Sequence, residues 1–256
     1  MATQFKTVSK FIAATGVLAA LGSVSTAHAA TVSRVDAATF GPEAGRITFS
    51  ELGFAPGTVN PVYNPAQYGG GINAPIVSFG GLFSGQTVTT DTAFVTGNPT
   101  GTLALTGNTR IIGRDDANPS APVLSGAPTF SGPVSILFSR NVSAVGIDAG
   151  FFDRIGSTAI TAFDRNGVNL GSLSNAATGI EFLGLVTDDG SNQIAGLQFS
   201  SLSADASGFA IDNVRFNAAV NSPVEEVPEP FTIVGTIIGG SAAMRMRKKL
   251  KANDKV

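Results

Sequence analysis

The sequence predicts an all-β domain, an antiparallel β-sandwich or jelly roll, flanked by an N-terminal signal helix and a short C-terminal transmembrane helix. Short runs of alternating apolar and polar residues recur along the middle of the chain. The chain contains 31 glycines and 13 prolines, and turn residues of this kind separate the runs. After the N-terminal segment, no long stretch has the spacing of an amphipathic helix.

The strand signal is clear in Arg46–Ser50, where Ile47 and Phe49 share one face and polar residues share the other. This two-residue period is typical of a half-buried strand. Further strands are predicted at Ile76–Phe83, Thr87–Val95, Thr102–Thr106, Val134–Ser139, Val142–Phe151, Thr158–Asp164, Ile180–Thr187, Gln193–Ser200 and Phe209–Phe216.

Turn residues indicate how these strands are connected. Asp164-Arg165-Asn166-Gly167 predicts a tight hairpin, because Asn-Gly tolerates positive φ. Asp188–Asn192 predicts another hairpin turn, since it lacks the ligand spacing of an EF-hand. Asn60–Pro75 and Ala117–Pro128 are expected to be surface loops.

Charge is distributed unevenly along the chain. The six lysines all lie near the termini: Lys6, Lys10, Lys248, Lys249, Lys251 and Lys255. Between Ala30 and Glu226, sixteen acidic residues face eight arginines, a net charge of −8. An acidic domain repels a phosphate backbone, so no nucleic-acid partner is expected, whereas divalent cations would be attracted.

Two residue types central to catalysis are almost absent. The chain has no cysteine, and its single histidine is His28, inside the segment expected to be removed. A mature protein without either residue excludes Ser-His-Asp and Cys-His catalysis, thiolate metal sites and His-ligated zinc.

The N-terminus has the form of an export signal, predicted to span residues 1–29. Lys6 and Lys10 precede an apolar run that ends near Val24. Ala27 and Ala29 then provide the A-x-A pattern that signal peptidase accepts, with cleavage after Ala29. Signal peptidase and the export machinery are therefore expected partners.

The C-terminus has three parts in sequence: an acidic linker at 223–230 that ends in Pro228-Glu229-Pro230, an uncharged run over Phe231–Met244, and a basic tail at 245–256. Fourteen helical residues cover about 21 Å, short of a hydrocarbon core of about 30 Å. The basic stop consists of Arg245, Arg247, Lys248 and Lys249. It should remain cytoplasmic, and the acidic domain should lie on the other side of the membrane.

This arrangement resembles the PEP-CTERM sorting signal of Gram-negative bacteria. The resemblance implies export, temporary retention in the inner membrane by the tail, and processing at Pro228, Glu229 and Pro230 by exosortase, a membrane transpeptidase. The 12 residues from Arg245 onward form a longer tail than many family members have. On this basis residues 30–222 are predicted to be the exported domain.

A second resemblance involves the strand series Val142–Asp148, Ala162–Gly167, Phe182–Leu185 and Phe209–Phe216. These segments look like those of jelly-roll ectodomains on PEP-CTERM proteins, and the last is similar to the closing strand of jelly-roll carbohydrate-binding modules. In those modules the Asp that matches Asp212 helps to hold a structural calcium ion.

Two interpretations of Asp212 follow. It is a candidate ligand of a Ca²⁺ site, with Glu51 or Glu43 as a further oxygen donor. Alternatively, backbone groups at the strand end satisfy its carboxylate, and this second interpretation is favoured because a carboxylate beside apolar neighbours needs only a hydrogen-bonding partner.

The expected function is that of a non-catalytic component of the cell envelope or extracellular matrix. The first alternative is a calcium-assisted carbohydrate-binding module for exopolysaccharide, with Tyr63 and Tyr68 as amphipathic rings. A glycoside hydrolase is less favoured, although such enzymes need only paired carboxylates. The candidates for that pair are Asp148, Asp153, Glu51 and Glu181.

Overall fold

The computed structural model describes residues 31–51, 53–89, 94–115, 121–203 and 208–217. Within them, two short 3₁₀ helices cover Ala37–Thr39 and Pro65–Tyr68, and all other regular structure is β-strand. The strands are β1 (Val32–Arg34), β2 (Gly45–Ile47), β3 (Val62–Tyr63), β4 (Val77–Gly80), β5 (Leu82–Phe83), β6 (Thr87–Val88), β7 (Val95–Thr96), β8 (Leu105–Thr106), β9 (Thr109–Ile112), β10 (Val123–Gly126), β11 (Val134–Val142), β12 (Ala144–Phe152), β13 (Thr158–Phe163), β14 (Asn169–Ser174), β15 (Gly179–Thr187), β16 (Ile194–Ser201) and β17 (Ala210–Phe216).

Two large antiparallel sheets organise these strands. The front sheet has the order β1-β15-β12-β17-β10-β9, and β2 also pairs with β17. The back sheet has the order β14-β13-β16-β11-β4-β3. Two hairpin-like pairs, β5 with β8 and β6 with β7, complete the described part of the chain. The all-β, antiparallel prediction is confirmed.

The main core lies between the two sheets. Phe216 on β17 of the front sheet meets Phe138 on β11 of the back sheet, with ring centroids 5.3 Å apart. Phe152 on β12 likewise meets Phe199 on β16, at 6.1 Å. All four side chains are essentially inaccessible to solvent. Facing sheets with such a shared apolar core are consistent with a β-sandwich.

A third layer covers the outer face of the back sheet. The segment from Leu82 to Thr106 places Phe83 and Leu103 against Phe163 and Ala195, in a second apolar cluster. Beside it, the buried side chains of Gln86 and Gln198 exchange two hydrogen bonds of 2.9 Å and 2.7 Å. This layer explains why every residue of β16 is buried.

Several predicted elements need correction. Thr87–Val95 is not one strand but β6 and β7, which pair with each other. The predicted loop Ala117–Pro128 contains β10, whose Leu124 is fully buried. The strands β1, β3, β9 and β14 were not predicted, and β3 lies inside the predicted loop Asn60–Pro75. β14 carries mostly polar residues at the edge of its sheet, where period-two patterning is weak.

The two tyrosines of the predicted loop Asn60–Pro75 are not free surface rings. Tyr63 lies on β3, is fully buried and stacks on Phe54, with centroids 4.4 Å apart. The Tyr68 hydroxyl donates to the Pro75 carbonyl, and its ring meets Phe216 edge-on at 5.3 Å. Neither ring is available as a sugar platform, because both are part of the core packing.

The turn predictions have different outcomes. The hairpin at Asp164–Gly167 is confirmed: it joins the paired strands β13 and β14, and Gly167 has φ +81°. Asp188–Asn192 connects β15 of the front sheet to β16 of the back sheet, so it is a link between sheets and not a hairpin.

Both predicted membrane elements fall outside the described residues. These are the export signal at 1–29 with Ala27 and Ala29, and the C-terminal linker, apolar run and basic tail from 223 onward. Among the residues that are described, no helix has the length and apolar character needed to cross a membrane.

The two tyrosine hydroxyls make a matched pair for a stability test. The buried Tyr63 hydroxyl has no hydrogen-bond partner among the described residues. Burial and the nearby Glu51 carboxylate raise the pKa of this hydroxyl. No hydrogen bond of good geometry joins the hydroxyl to that carboxylate. We expect Tyr63→Phe to leave the free energy of unfolding unchanged or higher, because it removes an unsatisfied polar group.

By the same reasoning, Tyr68→Phe should lower the free energy of unfolding by about 1 kcal/mol, because it removes a hydrogen bond and leaves the Pro75 carbonyl without that donor. Urea unfolding of both variants measures the difference. A larger loss in Tyr63→Phe than in Tyr68→Phe would contradict this account of the core.

Candidate binding groove on the front sheet

The site begins with a β-bulge in β17. Gly146 and Asp148 of β12 pair with Arg215 and Asp212, so two residues of β17 lie opposite the single residue Ile147. The additional residue is Asn213, whose φ of 47° lies in the left-handed region that Asn tolerates better than most residues. The bulge shifts the alternation of β17, so that Ile211 before it and Val214 after it both belong to the core.

The carboxylate of Asp212 holds this bulge in place. It is 1% exposed, and its two oxygens accept hydrogen bonds from the backbone N–H and side-chain amide of Asn213, at 2.6 Å and 3.1 Å. These contacts support the interpretation that local backbone and amide donors satisfy Asp212. The calcium hypothesis stays a prediction.

The other candidate calcium ligands lie in separate settings. Glu51 accepts from the backbone N–H and the hydroxyl of Thr48, at 2.6 Å and 3.0 Å. Glu43 lies exposed on the turn that precedes β2. No cluster of three or more His, Cys, Asp or Glu residues that could hold a metal ion occurs within the described ranges.

The outer face beside the bulge is built around Phe182. Its ring lies over Gly146 and Gly184, since a Cβ added at these positions would come within 2.3 Å and 2.7 Å of the ring. Arg215 stacks on the ring, with its guanidinium carbon 5.1 Å from the centroid, and Phe40 meets the ring edge-on at 5.8 Å. Phe182 therefore supports both a cation and an aromatic side chain.

These residues border a groove of about 270 Å³, which lies between the front sheet and the turn that precedes β2. Its lining consists of Phe40, Gly41, Pro42, Ala44, Gly45, Arg46 and Arg215. The two arginines are directly opposite each other on β2 and β17. Apolar walls beside a few polar groups are the usual composition of a small-ligand site.

The two arginines have different partners. Arg215 forms a two-point salt bridge with Asp148, at 2.9 Å and 3.1 Å. Arg46 instead donates from Nε and Nη2 to the amide oxygen of Asn213, at 3.1 Å and 2.6 Å. The amide is neutral, so it orients the Arg46 guanidinium without offsetting its charge.

The carboxylates proposed for glycoside hydrolysis are engaged elsewhere. Asp148 is occupied by Arg215, and Glu181 accepts from Arg34 at 3.0 Å and from the N–H groups of Ala176 and Ala177. Asp153 lies exposed in the turn after β12. None of these side chains lines the groove.

Asp188 has a structural position at the edge of the front sheet. Both its oxygens accept hydrogen bonds from the hydroxyls of Thr31 and Ser33, which lower the pKa of this exposed carboxyl. The contacts attach β1 to the turn after β15. Asp188 thus anchors the N-terminal strand.

Sequence reasoning predicted Asp212 and Asp148 as chemically interesting but missed the groove residues Phe40, Arg46 and Arg215. The only local signal was the Asp-Asn pair inside an otherwise alternating strand, which marks the bulge. The opposition of Arg46 and Arg215 joins segments 169 positions apart and has no local signature.

Comparison with known proteins assigns no family to the chain: no protein-family model matches it, and a search of curated proteins gives no match.

Asp212→Asn tests the role of the bulge carboxylate. One oxygen of the pair becomes an amide nitrogen, which cannot accept from Asn213, so the free energy of unfolding should fall by about 1–3 kcal/mol. Thermal melts with calcium and with chelator should show no shift in Tm for either protein. A calcium-dependent rise in the Tm of the wild type, lost in Asp212→Asn, would instead establish a calcium site.

Gly146→Ala tests the support beneath Phe182. The new methyl group would clash with the ring, so we expect a loss of about 1–3 kcal/mol in the free energy of unfolding. Gly71→Ala is the matched control, because a Cβ there meets no atom within 4 Å. Equal stability of the two variants in chemical denaturation would show that Phe182 does not depend on this close approach.

Proposed function

We propose that the chain is an exported, non-catalytic component of the cell envelope or extracellular matrix, sorted by its PEP-CTERM-like C-terminus. The proposal rests first on the order of sequence features: an export signal, an acidic domain, a Pro-Glu-Pro motif, an apolar run and a basic stop. Exosortase is the implied processing partner, and the inner membrane is the implied temporary anchor.

The observation that carries the proposal is the placement of the two ends of the described domain. Val32 pairs with Thr187, and Val186 pairs with Ala144, next to the pairing of Val145 with Phe216. The first and last strands therefore meet the same end of the front sheet. Three strand spacings separate them, which is about 14 Å.

This placement is compatible with a domain that is attached to a membrane, although neighbouring chain ends are common in domains of every kind. A signal segment before β1 and a sorting segment after β17 leave the domain from one side. Both can occupy one bilayer while the sheets form, because neither has to pass around the folded domain. A domain with its ends on opposite sides would need a long return segment to reach the same arrangement.

The finer fold assignment belongs to the same proposal. We infer a jelly-roll-like sandwich, supported by chain crossings between the sheets along β11 to β17: only β13 and β14 are consecutive in one sheet. Such a fold presents broad sheet faces and does not by itself define an activity.

A second candidate function is carbohydrate binding, and the groove at Arg46 and Arg215 is the observation that favours it. The sequence-based argument from Tyr63 and Tyr68 no longer supports it, because both rings are packed in the core. Hydrolysis has less support, since Asp148 and Glu181 are held by arginine and backbone donors.

Sorting is tested by fractionation of cells that carry Glu229→Gln, with Glu226→Gln as the control outside the motif. We expect the wild type and Glu226→Gln to lose the peptides that cover Arg245–Val256, as measured by mass spectrometry of the envelope and extracellular fractions. Glu229→Gln should retain them in the membrane fraction, because the motif is the processing site that the resemblance implies.

Recovery of the Arg245–Val256 peptides from mature wild-type protein would contradict processing at Pro228–Pro230. Recovery of the intact chain from the cytosol, with His28 included, would contradict export itself.

A further inference from the structure

We propose that the groove between Phe40 and Arg215 binds an acidic sugar, with the carboxylate of a uronate ring held by Arg46. The inference deepens the second candidate function, so it rests on carbohydrate binding and not on the sorting of the chain.

The anionic preference follows from the two opposed arginines. Arg46 and Arg215 are direct cross-strand neighbours, and like charges in this position repel each other. The Asp148 carboxylate offsets one of the two charges. No carboxylate among the described residues offsets the charge of Arg46, because its hydrogen bonds go to the neutral amide of Asn213.

A bound carboxylate would offset the positive charge of Arg46. Arg46 uses Nε and Nη2 for its contacts with Asn213, which leaves Nη1 without a described hydrogen-bond partner. Guanidinium donors bind carboxylates in shorter and stronger hydrogen bonds than neutral donors do. The Asp212–Asn213 bulge fixes the Arg46 fork before a ligand arrives, and this preorganisation lowers the entropic cost of binding.

The remaining lining selects a compact ring with an apolar face. Phe40, Pro42 and Ala44 supply the apolar side chains of the lining. The volume of about 270 Å³ lies just below the range of about 300–1,000 Å³ that is usual for drug-sized ligands. A single sugar ring matches that size, with neighbouring units of a polysaccharide extending into solvent.

The predicted domain as a whole is acidic, so an approaching anion meets the same general repulsion that disfavours nucleic acid. Binding of an anion therefore requires a local positive centre that offsets this repulsion. Arg46 is exposed and lies at the rim of the groove, where it is accessible to an arriving carboxylate. Binding should therefore depend strongly on this one side chain and on ionic strength.

The test is calorimetric titration of the purified full-length chain with galacturonate and with galactose as the matched neutral probe, at low ionic strength. We expect galacturonate to bind at least tenfold more tightly than galactose, and the difference to shrink when salt is raised. Arg46→Gln should lower galacturonate affinity at least tenfold. Arg46→Lys should retain part of it, since the charge stays but the planar fork is lost.

Arg140→Gln is the matched control, because it removes the same charge from an exposed position on β11 of the back sheet. It should change galacturonate affinity less than twofold. Phe40→Ala gives an independent variant that removes the aromatic ring from the apolar lining and leaves both arginines in place; it should weaken galacturonate binding at least threefold. Circular dichroism melts verify that each variant is folded.

Equal affinity for galacturonate and galactose would overturn the inference, as would equal loss in Arg46→Gln and Arg140→Gln. Absence of any galacturonate binding would also overturn it. None of these results would affect sorting, which is measured separately by the fate of the C-terminal peptides.

Discussion

The bulge at Asp212–Asn213 is the constraint on which the front sheet depends. β17 pairs with β12 along one edge, and along the other edge it pairs first with β10 and then with β2. An additional residue between these two partners shifts the alternation by one position, so that Ile211 and Val214 both face the core. Without the shift, the apolar side chains of either the first or the second half of β17 would point away from the core. The carboxylate of Asp212 stabilises this local irregularity, and the sandwich core is the consequence.

The same bulge determines the chemistry of the outer surface. Because it places Asn213 beside Arg46, the partner of that guanidinium is an amide and not a carboxylate. Directly across from Arg46, on β17, Arg215 does have a carboxylate partner and rests on Phe182. A single backbone irregularity therefore produces two adjacent arginines with different electrostatic environments. This asymmetry gives the groove a positive centre within a domain that carries a net negative charge.

Much of the fold could be predicted from the sequence, because period-two alternation directly reports a half-buried strand. The long strands β11, β12 and β15 were predicted close to their observed positions, although the burial of β12 does not alternate along the strand. The prediction also holds for β16, which lies within one residue of the predicted Gln193–Ser200 although every one of its residues is buried. β10 was missed because the prolines that flank it read as turn signals. The groove could not be predicted, since its arginines meet through long-range pairing, and their partners depend on the bulge.

The position of the groove on the sheet agrees with the proposed attachment to a membrane. Gly45 pairs with Phe216, so the groove lies toward the end of the front sheet at which the described domain begins and ends. A ligand site this near an anchored end needs a spacer to stay clear of the bilayer. The 13 residues from Ala218 to Pro230 span at most about 43–47 Å when extended. That reach exceeds the diameter of a sugar ring several times over, so a polymer could enter the groove from the side while the chain is still attached. Release of the chain by processing would then carry a groove already accessible to polymer into the extracellular matrix.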